Sequence, residues 1–469
     1  MRRISKTFVT LLFMAMPALG TYAQVAEIEE GPKIWSLEEC LQYGLKNHPK
    51  VIMADSDVKS AEASLLAQKA KHDATLVGNV SWDGNKTRGT NIGDSHYSGS
   101  RSESLSLKKT FFESGAYFID IKSAREALKA AKMDRETALI SLAANIKTMF
   151  FKAQQAQSLL QVKLDTLEGY EKHLKKVESF VEVGTHAPYD ITKAQVDVAN
   201  ARVDLINAKN SLKQALVNVG NAIGIGEPVH VTSYEMHTLP DIDESVKLEL
   251  VKVALERPEV KAAESNVKSA NFGIQKAKLA LKPTVSASAG YSWAKPDYSN
   301  ENRGWNVEAG VSWTLFNGRN TKASVNKARS SYERSKASFD NLKLNIGKEV
   351  ENGINDIIGA AQRVKAYEYV VRQASESLEL AEGRYDAGLG SPLEVTDARV
   401  DFEKAKGNFI TAYFDCLIAQ TNLDITLGRM PSECDVKNTV EESVEAVTNE
   451  VLPENNETGK LDIEFEAEK

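Results

Sequence analysis

The chain has 469 residues and a formal net charge of -7. An excess of acids, without a Lys/Arg block that carries interleaved aromatics, excludes nucleic acid as the expected partner. Its three cysteines, Cys40, Cys416 and Cys434, are an odd number for an exported chain and do not predict a disulfide framework, so we expect thiols without a role.

Residues 1–23 have the pattern of a secretory signal peptide. Arg2, Arg3 and Lys6 precede an apolar run, and Ala23 fits the small residue at a cleavage site. We therefore expect an exported protein, and no Cys follows the cleavage site to carry an N-terminal lipid anchor. After residue 24, no apolar run reaches the roughly 18 to 20 residues that a membrane-spanning helix needs, so any membrane crossing would have to use strands.

A first repeat is predicted over residues 24–226. Ser36 and Glu39 have the spacing of a capping box at the start of a helix. Residues 75–82 and 104–111 alternate between apolar and polar positions, which predicts two strands, and the polar, Gly-rich residues 83–100 between them predict a long loop.

Long helices with coiled-coil packing are predicted from 116–168 and again after Pro188. Residues 116–168 contain neither Gly nor Pro, and their apolar residues recur at alternating spacings of three and four. Such a helix would be about 80 Å long at about 1.5 Å per residue. Helices of this length must pack side by side in a rod or tube.

The second half repeats this order. After a connector at 227–246, the second repeat spans 247–428, and residues 429–469 form an acidic tail that we expect to be largely disordered. Two clearer strands are predicted at 285–293 and 305–315. Their length and alternation fit lipid-facing strands, and the aromatic residues of that face are Trp82, Trp293, Trp305 and Trp313. A strand in a soluble sandwich would show the same alternation.

Each repeat contains a helical hairpin whose turn has the same pattern. Residues 184–195 and 388–399 both place a Pro four positions after a Gly and an acid two positions further on. In the second copy Ser391 is the predicted N-cap and Glu394 the reciprocal acid of a capping box. In the first copy Ala187 occupies the cap position, where it is a poor capper.

The duplicated order of helix, strand pair, long helix, Gly turn and long helix, with TLFNG at 314–318 and GLGSPLEVTDA at 388–398, resembles the TolC family of outer-membrane efflux proteins. The resemblance implies an α+β membrane protein with a long-helix α-barrel and a transmembrane β-barrel that is shared between protomers, each chain giving four strands. It also implies a homotrimer in the outer membrane, a periplasmic adaptor and an inner-membrane pump as partners, although the strand count alone also allows four copies.

The resemblance also suggests residues that close the tunnel at the hairpin ends. Glu394 and Asp397 would form a ring of acids, and Tyr385 with Asp190 would form a lock between hairpins. The family often has an arginine where this chain has Gly390, which predicts a looser closure. Acids at positions 190 and 394 have an alternative explanation, because an acid in the first turn of a helix is favoured by the helix dipole whatever the function.

These observations predict a channel-tunnel of a tripartite efflux or type I secretion system. The histidines are scattered, and no cluster of residues has the spacing of metal ligands. We therefore expect a protein that is not an enzyme and that binds no metal or cofactor. The alternative of a different class is an exported coiled-coil scaffold or adaptor that binds other envelope proteins.

Overall fold

Long helices make up most of the computed structural model of this protein, which describes residues 34–88, 95–184, 187–233, 247–296 and 301–430. The predicted signal peptide at 1–23 lies outside the described residues. So do most of the connector at 227–246, nearly all of the acidic tail at 429–469, and Cys434.

The described elements follow one order twice. A strand pair stands between a helix of about 20 residues and a helical hairpin in each half, and the two longest helices have 67 residues each. The elements are β1 (Ile34–Trp35), α1 (Leu37–Asn47), α2 (Pro49–Ala70), β2 (Thr75–Arg88), β3 (Ser95–Glu113), α3 (Ala116–Glu182), α4 (Pro188–Ile223), β4 (His230–Val231), α5 (Lys247–Ala254), α6 (Pro258–Lys278), β5 (Thr284–Pro296), β6 (Asn302–Ser312), α7 (Asn320–Asp386) and α8 (Pro392–Thr426).

The predicted capping box at the start of α1 is confirmed. The Glu39 N–H donates to Ser36 Oγ at 3.2 Å, and the Ser36 N–H donates to a Glu39 carboxylate oxygen at 3.0 Å. Two otherwise unsatisfied N–H groups of the first turn are thereby bonded. The short parallel pair of β1 and β4 was not predicted, because two-residue strands leave no periodic signal.

Helix α3 is longer than its Gly-free stretch predicts, because it continues through Gly169 to Glu182. A glycine inside a helix costs about 1 kcal/mol, which does not end a helix whose apolar side chains stay buried beyond it. Tyr170 and Val177, just after the glycine, are both buried. Packing therefore outweighs the local preference at this position.

The coiled-coil seams predicted from spacing form the interior of the helical region. Leu142, Ile146 and Ala153 of α3 are buried in one apolar cluster with Val219 of α4 and Cys416 of α8. Burial also raises the pKa of the Cys416 thiol, which keeps it protonated and unreactive. Cys416 therefore serves as a packing residue of this cluster.

The four long strands form one antiparallel sheet in the order β2-β3-β5-β6. The pairing of β2 with β3 runs from Thr75 opposite Lys108 to Arg88 opposite Ser95. The prediction of a loop over 83–100 was therefore wrong at both ends, since a backbone ladder in register holds polar residues as readily as apolar ones. Between these two strands, only residues 89–94 lie outside the part of the chain that the structure describes.

Strand β6 ends earlier than the alternation predicts. Its pairing stops where Ser312 meets Thr284, and the residue before Thr284 is Pro283, which has no N–H to extend the ladder. Trp313 and Leu315, which were predicted in the strand, therefore follow it. The Trp313 indole N–H instead donates to the Leu281 carbonyl at 2.9 Å.

Across the described part of the chain, no helix combines the length and the apolar content that crossing a membrane requires.

Candidate functional site: the hairpin ends

A glycine in the left-handed conformation ends the long helix of each hairpin. Gly184 after α3 and Gly388 after α7 have positive φ values of 83° and 71°. A residue with a Cβ is strained in this region, so glycine at both positions permits the tight reversal that the sequence predicts. We call the residues flanking these turns, 169–198 and 382–399, the first and second hairpin ends.

The two turns differ in how the next helix begins. Ser391 Oγ accepts the Glu394 N–H at 3.3 Å, whereas Ala187 gives α4 no side-chain cap. The prediction that Glu394 also closes the capping box was wrong. Its carboxylate lies instead 3.7 Å from the Arg384 guanidinium, which draws it away from the Ser391 N–H.

Tyr385 belongs to the second hairpin and is buried against the first. It is 2 % exposed and packs with Val177 of α3, Ala194 of α4 and Val395 of α8. The His173 ring lies 5.5 Å from the Tyr385 ring, centroid to centroid. One tyrosine thus joins all four helices of the two hairpin ends within a single chain.

The predicted partner of this tyrosine, Asp190, lies in the same region. Burial raises the pKa of the Tyr385 hydroxyl, and the nearby Asp190 and Asp386 carboxylates add to the rise because they oppose a second negative charge. Asp190 is half-buried in the first turn of α4. The lock between these two residues remains a prediction.

Glu394 and Asp397 are both exposed and lie three residues apart, so they occupy neighbouring positions on one face of α8. Among the described residues Asp397 has no ion-pair partner, and Glu394 has Arg384. Both carboxylates are exposed and therefore accessible from outside this chain, and Asp397 is the one without a partner among the described residues.

Gly390 lacks a side chain, and the surrounding backbone leaves little room for one. Its N–H donates to the Arg384 carbonyl at 3.0 Å, and a Cβ placed on it would come within 3.0 Å of the Tyr385 nitrogen. A guanidinium is nevertheless present, since Arg384 bonds the Leu389 carbonyl at 3.4 Å. An arginine thus reaches this turn from six positions earlier than the family pattern suggests.

Three cationic side chains make ionic contacts between helices that sequence reasoning missed. Lys176 of the first hairpin binds Asp386 of the second at 2.9 Å, and Lys163 binds both Asp204 and Glu403. These partners lie up to 240 residues apart in the chain, so no local pattern reveals them.

One feature of the sequence could have indicated the position of the third of these side chains, Arg399. Arg399 binds Glu382 and lies over the Tyr170 ring, 5.6 Å from its centroid. A Cβ at Gly169 would overlap the Arg399 guanidinium. An isolated glycine in an otherwise Gly-free helix indicates such a close approach, and here it makes room for an arginine from the other hairpin.

His173 lies in a small pocket between the hairpins, about 300 Å³ in volume, lined also by Lys176, Glu382, Asp386 and Arg399. Burial lowers the pKa of His173 to about 4, helped by the Arg399 and Lys176 cations and opposed by Asp386. The imidazole is therefore neutral at pH 7, and a proton on it would be repelled by both cations.

Three of the four tryptophans predicted to face lipid, Trp82, Trp293 and Trp305, occupy one face of the sheet. Trp82, Trp305 and Trp313 are largely exposed, and Trp293 less so. Towards the loop end of the sheet, the register places Trp82 opposite Arg101 and Trp293 opposite Arg303, whose guanidinium lies 5.0 Å from the Trp293 ring centroid. Trp313 lies at the other end, next to the helices.

Within the described ranges, no three His, Cys, Asp or Glu side chains come together as metal ligands. The main features of the described residues are paired helical hairpins of extreme length, a four-stranded sheet with one largely apolar face, and charged side chains at the hairpin ends. They define a class of protein whose function lies in its architecture.

Comparisons with known proteins identify that class. The family model of the outer membrane efflux proteins matches residues 41–225 and 250–429. The toluene efflux pump outer membrane protein TtgI of Pseudomonas putida is 23% identical over 412 residues, covering 84% of this chain and 85% of TtgI. The cation efflux system protein CusC of Escherichia coli is 26% identical over 409 residues, covering 83% and 82%.

Solved structures have the same fold. The crystal structure of VceC from Vibrio cholerae superposes with a TM-score of 0.68 at 17% identity, covering 84% of this chain and 96% of VceC. The CmeC channel of Campylobacter jejuni gives a TM-score of 0.70 at 16% identity, covering 87% and 89%.

The chain belongs to the outer membrane efflux protein family. Its location is the outer membrane, with its helices extending into the periplasm, and its function is that of the outer-membrane channel of an efflux system. Members of this family are channel proteins and not enzymes. The resemblance drawn from the duplicated hairpin pattern is confirmed.

Proposed function

We propose that three copies of this chain pool their sheets into one closed barrel in the outer membrane. Strands β2 and β6 each have a single partner within the described chain, which leaves two open edges. Open edges are not tolerated in lipid, and four strands are too few to enclose a pore. This observation carries the proposal, because only strands from other copies of the chain can satisfy both edges.

The distribution of side chains on the sheet supports the same arrangement. Leu76, Leu107, Ala289 and Val307 form one row across all four strands, while the next row, on the opposite face, is less apolar and consists of Val77, Ser106, Gly290 and Asn306. An apolar face against lipid and a polar face towards the lumen are typical of a water-filled membrane barrel. The four tryptophans would then anchor the barrel at its two interfaces.

The long helices would continue the barrel as a tunnel towards the inner membrane. Helices α2, α3, α6 and α7 pack side by side in the order of the strands to which they connect, β2, β3, β5 and β6. A periplasmic adaptor and an inner-membrane pump would complete the conduit. The relatives carry names that refer to toluene, solvents and cations, so the efflux of small molecules or ions is the transport that we propose.

The hairpin ends would close this tunnel. Glu394 and Asp397, exposed on one helix face, would form a ring of acids when three copies surround an axis, and such a ring attracts cations and resists anions. Tyr385 with Asp190 would hold the two hairpins of one chain together. Arg384, bound to Glu394, would restrain the second turn in place of the missing arginine at Gly390.

Cysteine cross-linking between the sheet edges tests the shared barrel. One cysteine is placed on β2, at Asn79 or a neighbouring position, and one on β6, at Gly304 or a neighbouring position. Oxidation of membranes should then give a covalent trimer, about three times the mass of one chain on denaturing gels. A scan of β6 positions covers the unknown register between copies.

The matched control joins the two inner strands. Ser104 and Ser292 are direct partners in the register of β3 and β5, so the pair Ser104→Cys with Ser292→Cys should give only a cross-linked monomer. If every edge pair also gave only monomers, and the mature protein were recovered without detergent from the periplasm, the envelope scaffold would replace the channel as the function.

A further inference from the structure

An exposed groove lies where the first strand pair joins its helices. Its volume is about 510 Å³, and its floor lies between the end of α2 and the start of α3. We call it the junction groove and define it by Leu66, Lys69, Tyr117, Phe118, Lys122 and Arg125.

The chain fixes the position of this groove relative to the sheet. Helix α2 ends at Ala70 and strand β2 begins at Thr75, whereas β3 ends at Glu113 and α3 begins at Ala116. Phe118 therefore lies within five residues of a strand end. Other large apolar side chains exposed at this end of the sheet are Phe112, Trp313 and Phe316. Aromatic residues in such a band mark the boundary between lipid and water.

One face of α3 combines apolar and cationic side chains. Phe118 is followed by Lys122 four positions later and Arg125 seven positions later, a spacing that places all three on one helix face. Phe118 is 64% exposed, and Leu66 across the groove is 66% exposed. The rise from Phe118 to Arg125 is about 10 Å, so the three side chains extend over slightly more than one lipid headgroup layer, which is about 5 to 8 Å thick.

The cations of the groove are not used inside the chain. Lys69, Lys122 and Arg125 are exposed, and within the described ranges none of them lies in ion-pair distance of an acid. The opposite face of α3 differs, because Asp120 there binds Lys276 at 2.7 Å and Lys71 at 3.4 Å.

One acid, Asp73, also lines the groove, so the described lining carries an excess of positive charge. Three cations beside exposed apolar side chains, at the level of a membrane boundary, match a molecule that has an anionic head and an apolar tail.

We propose that the junction groove binds an anionic phospholipid of the inner leaflet of the outer membrane. Lys69, Lys122 and Arg125 hold the phosphate, and an acyl chain lies along Leu66 and Phe118. This inference rests on the proposed insertion of the sheet into the membrane. The bound lipid sets the depth of the barrel in the membrane, a role that no residue of the hairpin ends has.

Native mass spectrometry of the detergent-purified oligomer tests the site. Titration with phosphatidylglycerol should fill one tight site per protomer, and phosphatidylcholine should bind more weakly. In the double variant Lys122→Glu and Arg125→Glu, the affinity for phosphatidylglycerol should fall by at least about fivefold for each cation removed. Phe118→Ala should weaken the binding of both lipids equally, since it removes an apolar contact and no charge.

The control variant, Lys209→Glu with Lys213→Glu, makes the same change in net charge on exposed lysines of α4, far along the chain from the strands of the four-stranded sheet. It should bind phosphatidylglycerol as the wild type does. Equal phosphatidylglycerol affinity in the groove variant and the wild type would overturn the proposal. Displacement of the lipid by inorganic phosphate at equal concentration would also overturn it, because the site would then recognise phosphate alone.

The cross-linking of the sheet edges reports on the shared barrel by a separate readout. A covalent trimer that shows no preference between the two lipids would reject the lipid site and leave the channel intact. A chain that forms no trimer would reject both.

Discussion

The body of the helical region and the hairpin ends are built from the same helices but are held together differently. Within the body, α3, α4 and α8 share a large apolar cluster that includes Leu142, Phe151 and Phe414. At the hairpin ends the apolar clusters are small: one has four buried residues, Val177, Ala194, Tyr385 and Val395, and another has three, Tyr170, Val198 and Ala201.

Ion pairs between exposed side chains supply the other contacts at the hairpin ends. Lys176 and Asp386, which join the two hairpins, are each about half exposed. Exposed pairs of this kind contribute about 0 to 1 kcal/mol each, far less than a buried apolar side chain. The helices are continuous through both regions, so the difference lies in the packing between helices. We therefore expect the body to be the fixed part of the proposed tunnel and the hairpin ends to be the part that opens.

The largest effect on stability is expected in the body. Leu142→Ala removes a side chain that is 1% exposed and should lower the free energy of unfolding by about 2 to 5 kcal/mol. The temperature at which the oligomer dissociates measures this loss. The closed-state conductance should stay at the wild-type value. A higher conductance would mean that the body also takes part in opening the channel.

Acid should loosen the hairpin ends through His173. Its folded pKa of about 4 is below the ordinary value of 6.5, so the open form binds a proton more readily. Closure is therefore at full strength above about pH 6.5 and weakens as the pH falls towards about 4. Conductance should be higher at pH 5 than at pH 7.

The matched variant for this prediction is His173→Phe, which keeps an aromatic ring against Tyr385 and cannot take up a proton. It should remove the rise in conductance between pH 7 and pH 5. If the variant keeps the same pH dependence as the wild type, His173 is not the responsible group.

Ion selectivity tests the exposed acids. The double variant Glu394→Ala and Asp397→Ala should lose cation selectivity and divalent block in planar bilayers, because it removes two negative charges from each chain at the proposed constriction. Glu259→Ala, which removes an acid at the start of α6, serves as the control. Unchanged selectivity in the double variant would remove the two acids from the gate.

The smallest effect is expected at the caps of the two turns. Ser391→Ala should lower stability by about 1 kcal/mol, because the Glu394 N–H loses its acceptor. Ala187→Ser should raise it by a similar amount if the new hydroxyl caps α4. Thermal dissociation of the two variants compares the turns directly, and shifts in the same direction would contradict the assignment of the caps.

Local chemistry made the fold and the turns predictable from the sequence. Glycines at positive φ, the Ser391 cap and the apolar seams depend on residues within one or two helical turns, and all of them are found where they were predicted. The limits of the strands were predicted less accurately. The pairing of residues 83–88, and the end of β6 opposite Pro283, depend on residues of the opposite strand.

The site was harder to predict because its contacts join distant parts of the chain. Lys163, Arg384 and Arg399 act through partners on other turns or helices, and nothing in their own surroundings distinguishes them from solvated charges. Gly169 alone could have indicated the position of Arg399.

Single-channel conductance of Tyr385→Ala, compared with Leu142→Ala, tests most directly whether the hairpin ends are the closing element. Tyr385 joins the four helices of the ends in one small cluster, so its loss should give a channel of clearly larger conductance than the wild type at pH 7, with the oligomer intact. Leu142→Ala should conduct as the wild type does. An unchanged conductance in Tyr385→Ala, or an equal increase in both variants, would contradict the account.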